Sequence, residues 1–228
     1  MNPLSEQLCE LSRVLGAELL RRGAVKVNTD EPFLLTSGNF SPIYINCRQL
    51  ISCRASLQLI IAASMFHLES RDVAFDVIAG GETAGIPFAA FLATALNKPM
   101  IYVRKAARAH GTGSRLEGLL EPGQRVLLVE DLITDGITKL TFLEAIRDAD
   151  GVINTSLVVF DRLQGGESAL ARRDVQLIAL TDIESVLRVA EAWAFLPRQT
   201  VDSVRAYLES PSEWHAHRGL TFVPPVGA

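Results

Sequence analysis

Short apolar runs alternate with helical segments from residue 75 onward, and this alternation restricts the fold more than any other feature of the sequence. The apolar runs are predicted strands, at residues 75–79, 100–103, 125–129, 156–160 and 175–179. Residues 86–96 and 139–149, which lie between runs, have the apolar spacing of helices. Continuous apolar strands joined by helices form parallel sheets that are covered on both faces. We therefore expect an α/β fold with a central, mostly parallel sheet flanked by helices.

Smaller elements are predicted on both sides of this region. One face of an N-terminal helix carries five leucines, Leu4, Leu8, Leu11, Leu15 and Leu19. Residues 33–48 have the pattern of a strand, a turn and a second strand. Further helices are predicted at residues 57–68, 183–194 and 201–208. We expect one domain over residues 1–228, with an N-terminal helix and small hood at 1–70, a core sheet at 71–182 and C-terminal helices at 183–228.

Composition excludes several classes of protein. Hydrophobic residues make up 48% of the 228 residues and charged residues 21%, which favours a full core over disorder. A net charge of −4 gives no overall attraction to nucleic acid or to a membrane surface. No apolar run approaches the roughly 18 residues of a membrane span. We therefore expect no nucleic-acid or membrane partner. Because Cys9, Cys47 and Cys53 form no CxxC pair, we expect them to be free thiols of a cytoplasmic protein.

Residues 125–138 carry the clearest chemical signal in the chain. A predicted strand is closed by two adjacent carboxylates, Glu130 and Asp131, and a loop rich in threonine and glycine then opens a helix. The backbone N–H groups of such a loop and of a helix N-terminus bind a phosphate dianion. Thr134 and Thr138 add hydroxyl donors, and Gly136 permits a backbone angle that other residues resist. Loops at 80–84, 104–113 and 161–166 are expected at the same end of the sheet, where ligands of such folds bind.

The acidic pair suits a different part of the ligand. Carboxylates repel phosphate, but they accept hydrogen bonds from sugar hydroxyls and bind Mg²⁺ through water. A phosphate cradle beside a carboxylate pair therefore predicts a site for ribose 5-phosphate. The alternative is an ordinary strand–turn–helix with capping residues. Two consecutive carboxylates at the end of a buried strand are costly without a ligand, which favours the site.

The same string resembles a known motif. Residues 126–138, VLLVEDLITDGIT, resemble the phosphoribosylpyrophosphate-binding motif of the type I phosphoribosyltransferases. Four further strings resemble the orotate phosphoribosyltransferases within that family: TSGNFSPIYIN at 36–46, IAGGETAG at 78–85, YVRKAARAHG at 102–111 with LEG at 116–118, and VFDR at 159–162. The likeness runs from about residue 30 to about residue 185. It implies a type I phosphoribosyltransferase-like fold with an N-terminal hood.

The resemblance also implies roles for the residues that bind 5-phosphoribosyl-1-pyrophosphate (PRPP). Glu130 and Asp131 would hold the ribose hydroxyls, and Asp131 would face Mg²⁺ through water. Thr83 and Ala84 belong to the loop that would meet the pyrophosphate. The loop that would surround the 5-phosphate consists of Leu132, Ile133, Thr134, Asp135, Gly136, Ile137 and Thr138.

Further roles follow for the base and for a mobile catalytic loop. Arg162, Thr134, Tyr44 and Thr36 would contact orotate, although a core packing role for Tyr44 stays open. The catalytic loop would close on the departing pyrophosphate of a neighbouring subunit, which implies a homodimer with shared active sites. Its cations are Arg104, Lys105, Arg108 and His110, for which the alternative is a solvated basic loop.

These implied roles predict one reaction. The chain would transfer ribose 5-phosphate from PRPP to orotate, with Mg²⁺ as cofactor, to give orotidine 5-monophosphate. Two alternatives remain open at this stage. One is a phosphoribosyltransferase for another base, and the other is a catalytically weak PRPP-binding regulator of the same fold, which Arg108 and Ile137 leave open.

Overall fold

The computed structural model describes residues 2–35, 37–107 and 114–223. The N-terminal part begins with a helix whose first turn is capped by the Asn2 side chain, which accepts a 2.8 Å hydrogen bond from the Ser5 backbone. Its elements are α1 (Pro3–Arg21), β1 (Val25–Val27), β2 (Phe33–Leu34), β3 (Phe40–Ser41), β4 (Ile43–Ile45), a 3₁₀ helix (Cys47–Ser52) and α2 (Arg54–Glu69). We call the part that holds β1 to β4 the hood.

The core and the C-terminal part follow along the chain. The core elements are β5 (Val77–Gly81), α3 (Gly85–Leu96), β6 (Met100–Val103), β7 (Leu116–Glu117), β8 (Arg125–Ile133), α4 (Ile137–Arg147), β9 (Val152–Asp161), α5 (Gly166–Ala171) and β10 (Gln176–Asp182). The C-terminal helices are α6 (Ile183–Ala192), α7 (Arg198–Glu209) and α8 (Pro211–Ala216). Within the described ranges, no helix is both long enough and apolar enough to cross a membrane.

The central sheet has six strands in the order β10-β9-β8-β5-β6-β7. All neighbours are parallel except β6 and β7, which pair antiparallel. Helices cover both faces, so β8 buries alternate side chains against two separate clusters. Leu127 and Val129 belong to one cluster, and Val126 and Leu128 belong to the other. The predicted α/β fold with a mostly parallel sheet is therefore confirmed, and the unbroken apolar runs result from burial on both faces.

Several strands are longer than their apolar runs. β8 extends to Ile133, so Glu130 and Asp131 lie inside the strand, and the prediction that they close it is wrong. The reason is the ladder with β9, which continues through Glu130 opposite Val158 and Leu132 opposite Phe160. A neighbouring strand that supplies hydrogen bonds holds the polar residues in extended form regardless of their low strand propensity.

β5 is displaced from its predicted position and ends in two glycines. It begins at Val77, and its last residues are Gly80 and Gly81. A Cβ atom at Gly80 would lie 2.8 Å from the Cα of Ile86, so only glycine allows α3 to pass this close to the strand. The start of α3 therefore packs tightly against the end of β5.

The hood contains more structure than its pattern indicated. The predicted second strand, the apolar run at residues 43–45, is β4, whereas the predicted first strand, β2, pairs antiparallel with a short strand that was not predicted, β3. β4 then pairs with β1, a strand that was not predicted, with Val25 opposite Ile45 and Val27 opposite Ile43. α8 was not predicted either, because its six residues are too few to show helical periodicity.

Candidate active site

The phosphate loop lies between the end of β8 and the start of α4. Gly136 has a φ of 83°, as its glycine identity predicted, and α4 begins at the next residue. A Cβ atom there would also lie 3.1 Å from the Cβ of Ala169, so the position requires glycine for two reasons. Thr134 and Ile137 of this loop line a common cavity at the end of the sheet, beside the first turn of α4. First-turn N–H groups that have no acceptor within the helix can bind a phosphate.

A phosphate in this loop would repel the carboxylate of Asp135, but the structure gives that carboxylate a backbone partner. Its Oδ1 accepts a 3.0 Å hydrogen bond from the backbone N–H of Ile137. This short-range turn fixes the loop, and it directs the Asp135 carboxylate toward a backbone N–H group. Asp135 is thus a loop-shaping residue in this structure.

Glu130 is held in a buried ion pair on the α4 side of the sheet. Its Oε2 accepts a 2.6 Å hydrogen bond from Nζ of Lys139, and the two residues are only 4% and 7% exposed. Its other oxygen, Oε1, is buried without a hydrogen-bond partner among the described residues. Burial raises the pKa of Glu130, and the positive charge of Lys139 opposes that shift.

Lys139 was not predicted as part of the site. One signal was available, since a lysine in the first turn of a helix meets the positive end of the helix dipole and is unfavourable without an anionic partner. Lys139 lies in the first turn of α4, and Glu130 is that partner. The pair ties α4 to β8 on either side of the phosphate loop.

Asp131 points to the opposite face of the sheet from Glu130. Neighbouring side chains of a strand alternate between faces, and Asp131 shares the face of Leu127 and Val129. There it lies near Cys47 and Arg48: its charge contributes to the raised pKa of the Cys47 thiol, which burial raises most. Burial likewise raises the pKa of Asp131, which is 9% exposed. The two carboxylates therefore do not form one chelating pair, and their ribose-binding roles stay predictions.

The catalytic loop leaves the sheet through a closed stem. The backbone N–H of Arg104 donates to the carbonyl of Arg115 at 2.8 Å, and Nε of Arg115 donates to the carbonyl of Arg104 at 3.1 Å. Arg104 also pairs with Glu117, its Nη1 lying 3.7 Å from Oε1. The Lys105 side chain is exposed. Arg104 therefore lies in the stem, Lys105 lies at the start of the loop, and the predicted residues Arg108 and His110 lie outside the described residues.

The loop after β5 holds this stem in place. The backbone N–H of Lys105 donates a 2.8 Å hydrogen bond to Oε2 of Glu82. Thr83, which follows through a cis peptide bond, is exposed, and Ala84 is half-buried at the start of α3. The predicted pyrophosphate loop and the predicted catalytic loop are therefore neighbours at one end of the sheet.

Arg162 follows β9 at the same end. Its backbone N–H donates to the carbonyl of Ile133 at 3.0 Å, which fixes it beside the phosphate loop. Its Nη2 is buried without a hydrogen-bond partner among the described residues, and burial lowers the pKa of its guanidinium. Asp161 accepts a 2.8 Å hydrogen bond from the backbone N–H of Leu163, which fixes the turn that follows β9. Arg162 therefore presents an unused donor to a ligand.

One cavity of about 380 Å³ joins the phosphate loop to Arg162. Thr134 and Ile137 line it from the phosphate loop, and Leu35 and Asn39 line it from the hood. Its volume lies in the range of about 300–1,000 Å³ that is typical of small-molecule sites. A ligand in it would contact a phosphate cradle and a guanidinium at the same time. This cavity is the candidate active site.

The other two residues predicted to contact orotate have different outcomes. Tyr44 is not among the residues that line the cavity, and its ring packs 5.7 Å from the ring of Phe33. That geometry favours the alternative of a packing tyrosine, because the ring already has an aromatic neighbour in the hood. Thr36 lies outside the described residues.

The residues present fit Mg²⁺ only in a particular way. Across residues 2–35, 37–107 and 114–223, no group of three or more histidine, cysteine, aspartate or glutamate side chains could hold a metal ion. Mg²⁺ commonly keeps several waters and binds one or two carboxylates together with substrate phosphates. Because Glu130 is paired with Lys139, Asp131 is the carboxylate of the acidic pair that would suit this second pattern.

The sequence of this chain matches a known protein family and several of its members. A family model described as a phosphoribosyl transferase domain matches residues 48–186. An orotate phosphoribosyltransferase of Ruegeria sp. (strain TM1040) is 44% identical over 210 residues, which cover 90% of this chain and 92% of that protein.

Solved structures share the fold. The crystal structure of orotate phosphoribosyltransferase from Aeropyrum pernix has a TM-score of 0.66 and 30% identity, and the match covers 76% of this chain and 97% of that one. The structure of Leishmania donovani UMP synthase has a TM-score of 0.75 and 28% identity, covering 87% of this chain and 42% of that longer one. The match to the longer Leishmania protein covers less than half of that chain, whereas the match to the Ruegeria protein covers nearly the full length of both chains.

Proposed function

This chain belongs to the orotate phosphoribosyltransferase family, and we propose that the cavity between the phosphate loop and Arg162 carries out that family's reaction. The reaction transfers ribose 5-phosphate from PRPP to orotate. The bond from the anomeric carbon to pyrophosphate breaks, and pyrophosphate leaves with the electron pair. A bond to a ring nitrogen of orotate forms as that nitrogen gives up its proton. The products are orotidine 5-monophosphate and pyrophosphate.

A single observation carries the proposal: Arg162, whose buried Nη2 has no hydrogen-bond partner among the described residues, lines the same cavity as the phosphate loop. Orotate differs from uracil by a carboxylate, which a nearby pyrophosphate would repel. A fixed guanidinium offsets that repulsion and orients a planar anion through two parallel hydrogen bonds. The site therefore favours an anionic base over a neutral one.

The remaining residues position the donor substrate. The loop from Leu132 to Thr138 binds the 5-phosphate, and Thr83 and Ala84 meet the pyrophosphate. Asp131 accepts hydrogen bonds from the ribose, since it has no ion-pair partner among the described residues while Glu130 is paired with Lys139. Positive charge spreads over the ribose as the anomeric bond breaks, and a nearby carboxylate stabilises it. Mg²⁺, when bound with PRPP and water beside Asp131, neutralises charge on the pyrophosphate.

The catalytic loop would act between subunits. We place Lys105, Arg108 and His110 over the pyrophosphate of a neighbouring subunit in a homodimer, where cations stabilise the charge that develops on the leaving group. Two features support this arrangement: the stem is fixed at Arg104, and the Lys105 side chain is exposed. The cytoplasmic location also remains a prediction from the sequence.

A panel of bases tests the proposal. The protein is mixed with Mg²⁺, PRPP and orotate, uracil or a purine base, and both base absorbance and pyrophosphate release are followed. We expect orotate to react at least roughly a hundredfold faster than uracil, because uracil leaves the buried guanidinium unpaired. Equal rates with uracil would contradict the assignment of the base. No pyrophosphate release with any base would indicate a PRPP-binding regulator.

A further inference from the structure

The C-terminal segment beyond residue 197 is built into the fold although it lies outside the matched family domain. That domain ends at residue 186, and α7 and α8 follow it. Val201 and Val204 of α7 are fully buried, and Trp214 of α8 is 4% exposed. The segment is therefore a packed part of the molecule, and its position shows what it covers.

Aromatic side chains connect α7, α8 and the chain that follows. The Tyr207 ring packs against Trp214 at 5.1 Å, Trp214 against His215 at 5.3 Å, and His215 against Phe222 at 5.2 Å. These contacts have the tilted or edge-to-face geometry that aromatic pairs prefer. They form a continuous aromatic strip, Tyr207–Trp214–His215–Phe222.

His215 fastens this strip to the hood. Its Nε2 lies 3.1 Å from the backbone nitrogen of Phe40, and its Nδ1 lies 2.6 Å from the carbonyl of Pro211. The backbone N–H of Phe40 is a donor, so Nε2 must accept and Nδ1 must carry the proton that Pro211 accepts. One neutral, fully buried histidine thus bridges α8 and β3.

Asn39 makes a second attachment. Its Nδ2 donates to the carbonyl of Val223 at 2.7 Å, and its Oδ1 accepts from the backbone N–H of Val223 at 2.7 Å. This two-way pairing imitates a strand ladder and uses both backbone groups of Val223. It places Phe222 in a defined position beside the hood.

The fastened strip closes the candidate active site. Tyr207 and Phe222 line the same cavity as Arg162, and Asn39 lines it from the hood. Tyr207 also lies near enough to Arg162 to affect the pKa of the Arg162 guanidinium. A planar heterocycle whose carboxylate meets Arg162 would therefore have aromatic surface beside its ring.

We infer that the C-terminal segment forms the outer wall of the orotate pocket, with Phe222 as a specificity-determining residue that contacts the base and Asn39 as the residue that positions it. The inference deepens the proposed function and rests on it. It assigns a role to a part of the chain that lies outside the phosphoribosyl transferase domain. Because the wall contacts the base rather than the phosphates, its loss should raise the KM for orotate and leave the KM for PRPP nearly unchanged.

The test compares Phe222→Ala with Phe195→Ala. Phe195 is 38% exposed, belongs to the same C-terminal part and does not line the cavity, so it is a matched control. We expect Phe222→Ala to raise the KM for orotate roughly 5- to 100-fold, as when an aromatic stacking on a base is removed, with the KM for PRPP within about twofold. Phe222→Tyr should restore most of the affinity, and Phe195→Ala should change neither KM.

Asn39→Ala provides a second variant, because it leaves Phe222 in the chain but releases it. We expect a smaller rise in the KM for orotate in the same direction, with the thermal midpoint close to that of the parent. An unchanged KM for orotate in Phe222→Ala, or equal rises for both substrates, would overturn the inference while parental activity with orotate still stood. Absence of orotate activity in the parent protein would instead remove the proposed function.

Discussion

Lys139 donates a 2.6 Å hydrogen bond to Glu130 directly behind the phosphate loop, and both side chains are buried. Glu130 belongs to β8 and Lys139 to the first turn of α4, so the pair spans the loop that Thr134, Asp135 and Gly136 form. The second oxygen of Glu130 has no hydrogen-bond partner within the described ranges. The loop is therefore held by a buried ion pair, and removing either member would leave the other charge buried without its partner.

Breaking this pair from one side should destabilise the protein. Lys139→Met leaves the Glu130 carboxylate buried and unpaired, which typically costs about 3–5 kcal/mol. Urea unfolding of the variant and the parent measures the loss. The double variant Lys139→Met/Glu130→Gln, which removes both charges, should regain a substantial part of it. A single variant within about 1 kcal/mol of the parent would show that the pair does not hold the loop.

Asp131→Asn should remove activity and leave the fold intact. Burial raises the pKa of Asp131, which means that its ionised form costs stability, and a neutral amide of the same shape avoids that cost. We expect at least a roughly tenfold fall in turnover with PRPP, because the charge that stabilises the ribose is lost. Steady-state kinetics and a thermal midpoint no lower than the parent's test both statements. Parental kinetics in the folded variant would refute the ribose-binding role.

His67 should make stability depend on pH. It is 4% exposed and Nη1 of Arg71 lies 3.0 Å from its Nδ1; burial, together with the charge of Arg71, lowers the pKa of His67 to about 4. The unfolded value is about 6.5. The neutral imidazole therefore contributes stability that is fully present above pH 6.5 and is lost as the pH falls through about 4.

The matched variant for this prediction is His67→Gln, which cannot titrate. The parent should lose about 3 kcal/mol more than the variant between pH 6.5 and pH 4, as followed by urea unfolding at several pH values. Parallel pH profiles for the two proteins would show that His67 is not held neutral by the fold.

Mixing two impaired variants tests the shared active site. Lys105→Ala removes a loop cation, and Asp131→Asn removes the carboxylate that is proposed to bind the ribose. If Lys105 serves the neighbouring subunit, a heterodimer of the two variants contains one intact composite site. We expect activity to recover after subunit exchange, toward about a quarter of the parental rate for statistical pairing with one active site in half of the dimers. No recovery despite demonstrated exchange, or a monomer in solution, would count against the arrangement.

Local turn chemistry and burial on both faces could be predicted from the sequence. The apolar runs predicted the sheet, since both faces of its strands are covered, and the glycine at 136 predicted its left-handed backbone angle. The end of β8 could not be predicted, because hydrogen bonds from β9 extend the strand through Glu130 and Asp131. A strand end depends on its neighbour as well as on its own residues.

Long-range contacts also escaped prediction. Asn39 pairs with Val223 across 184 positions of sequence, and neither residue carries a motif that would indicate the other. For Tyr44, a motif match predicted a base contact, and nothing in the sequence indicated that its ring would pack against Phe33; the base contact stays a prediction. Resemblance predicted roles for the loops, and only the structure showed which other parts of the chain surround them.

The central claim is that the cavity binds an anionic base through Arg162. The kinetics of Arg162→Ala with both substrates tests it most directly. Loss of a charge-assisted bidentate pair in a closed site costs about 2–4 kcal/mol, so the KM for orotate should rise roughly 30- to 1000-fold, with the KM for PRPP nearly unchanged. Arg162→Lys should recover only part of the affinity, because a point charge does not match the planar fork. An alanine variant that loses affinity for orotate and PRPP equally would contradict the claim and make Arg162 a structural residue.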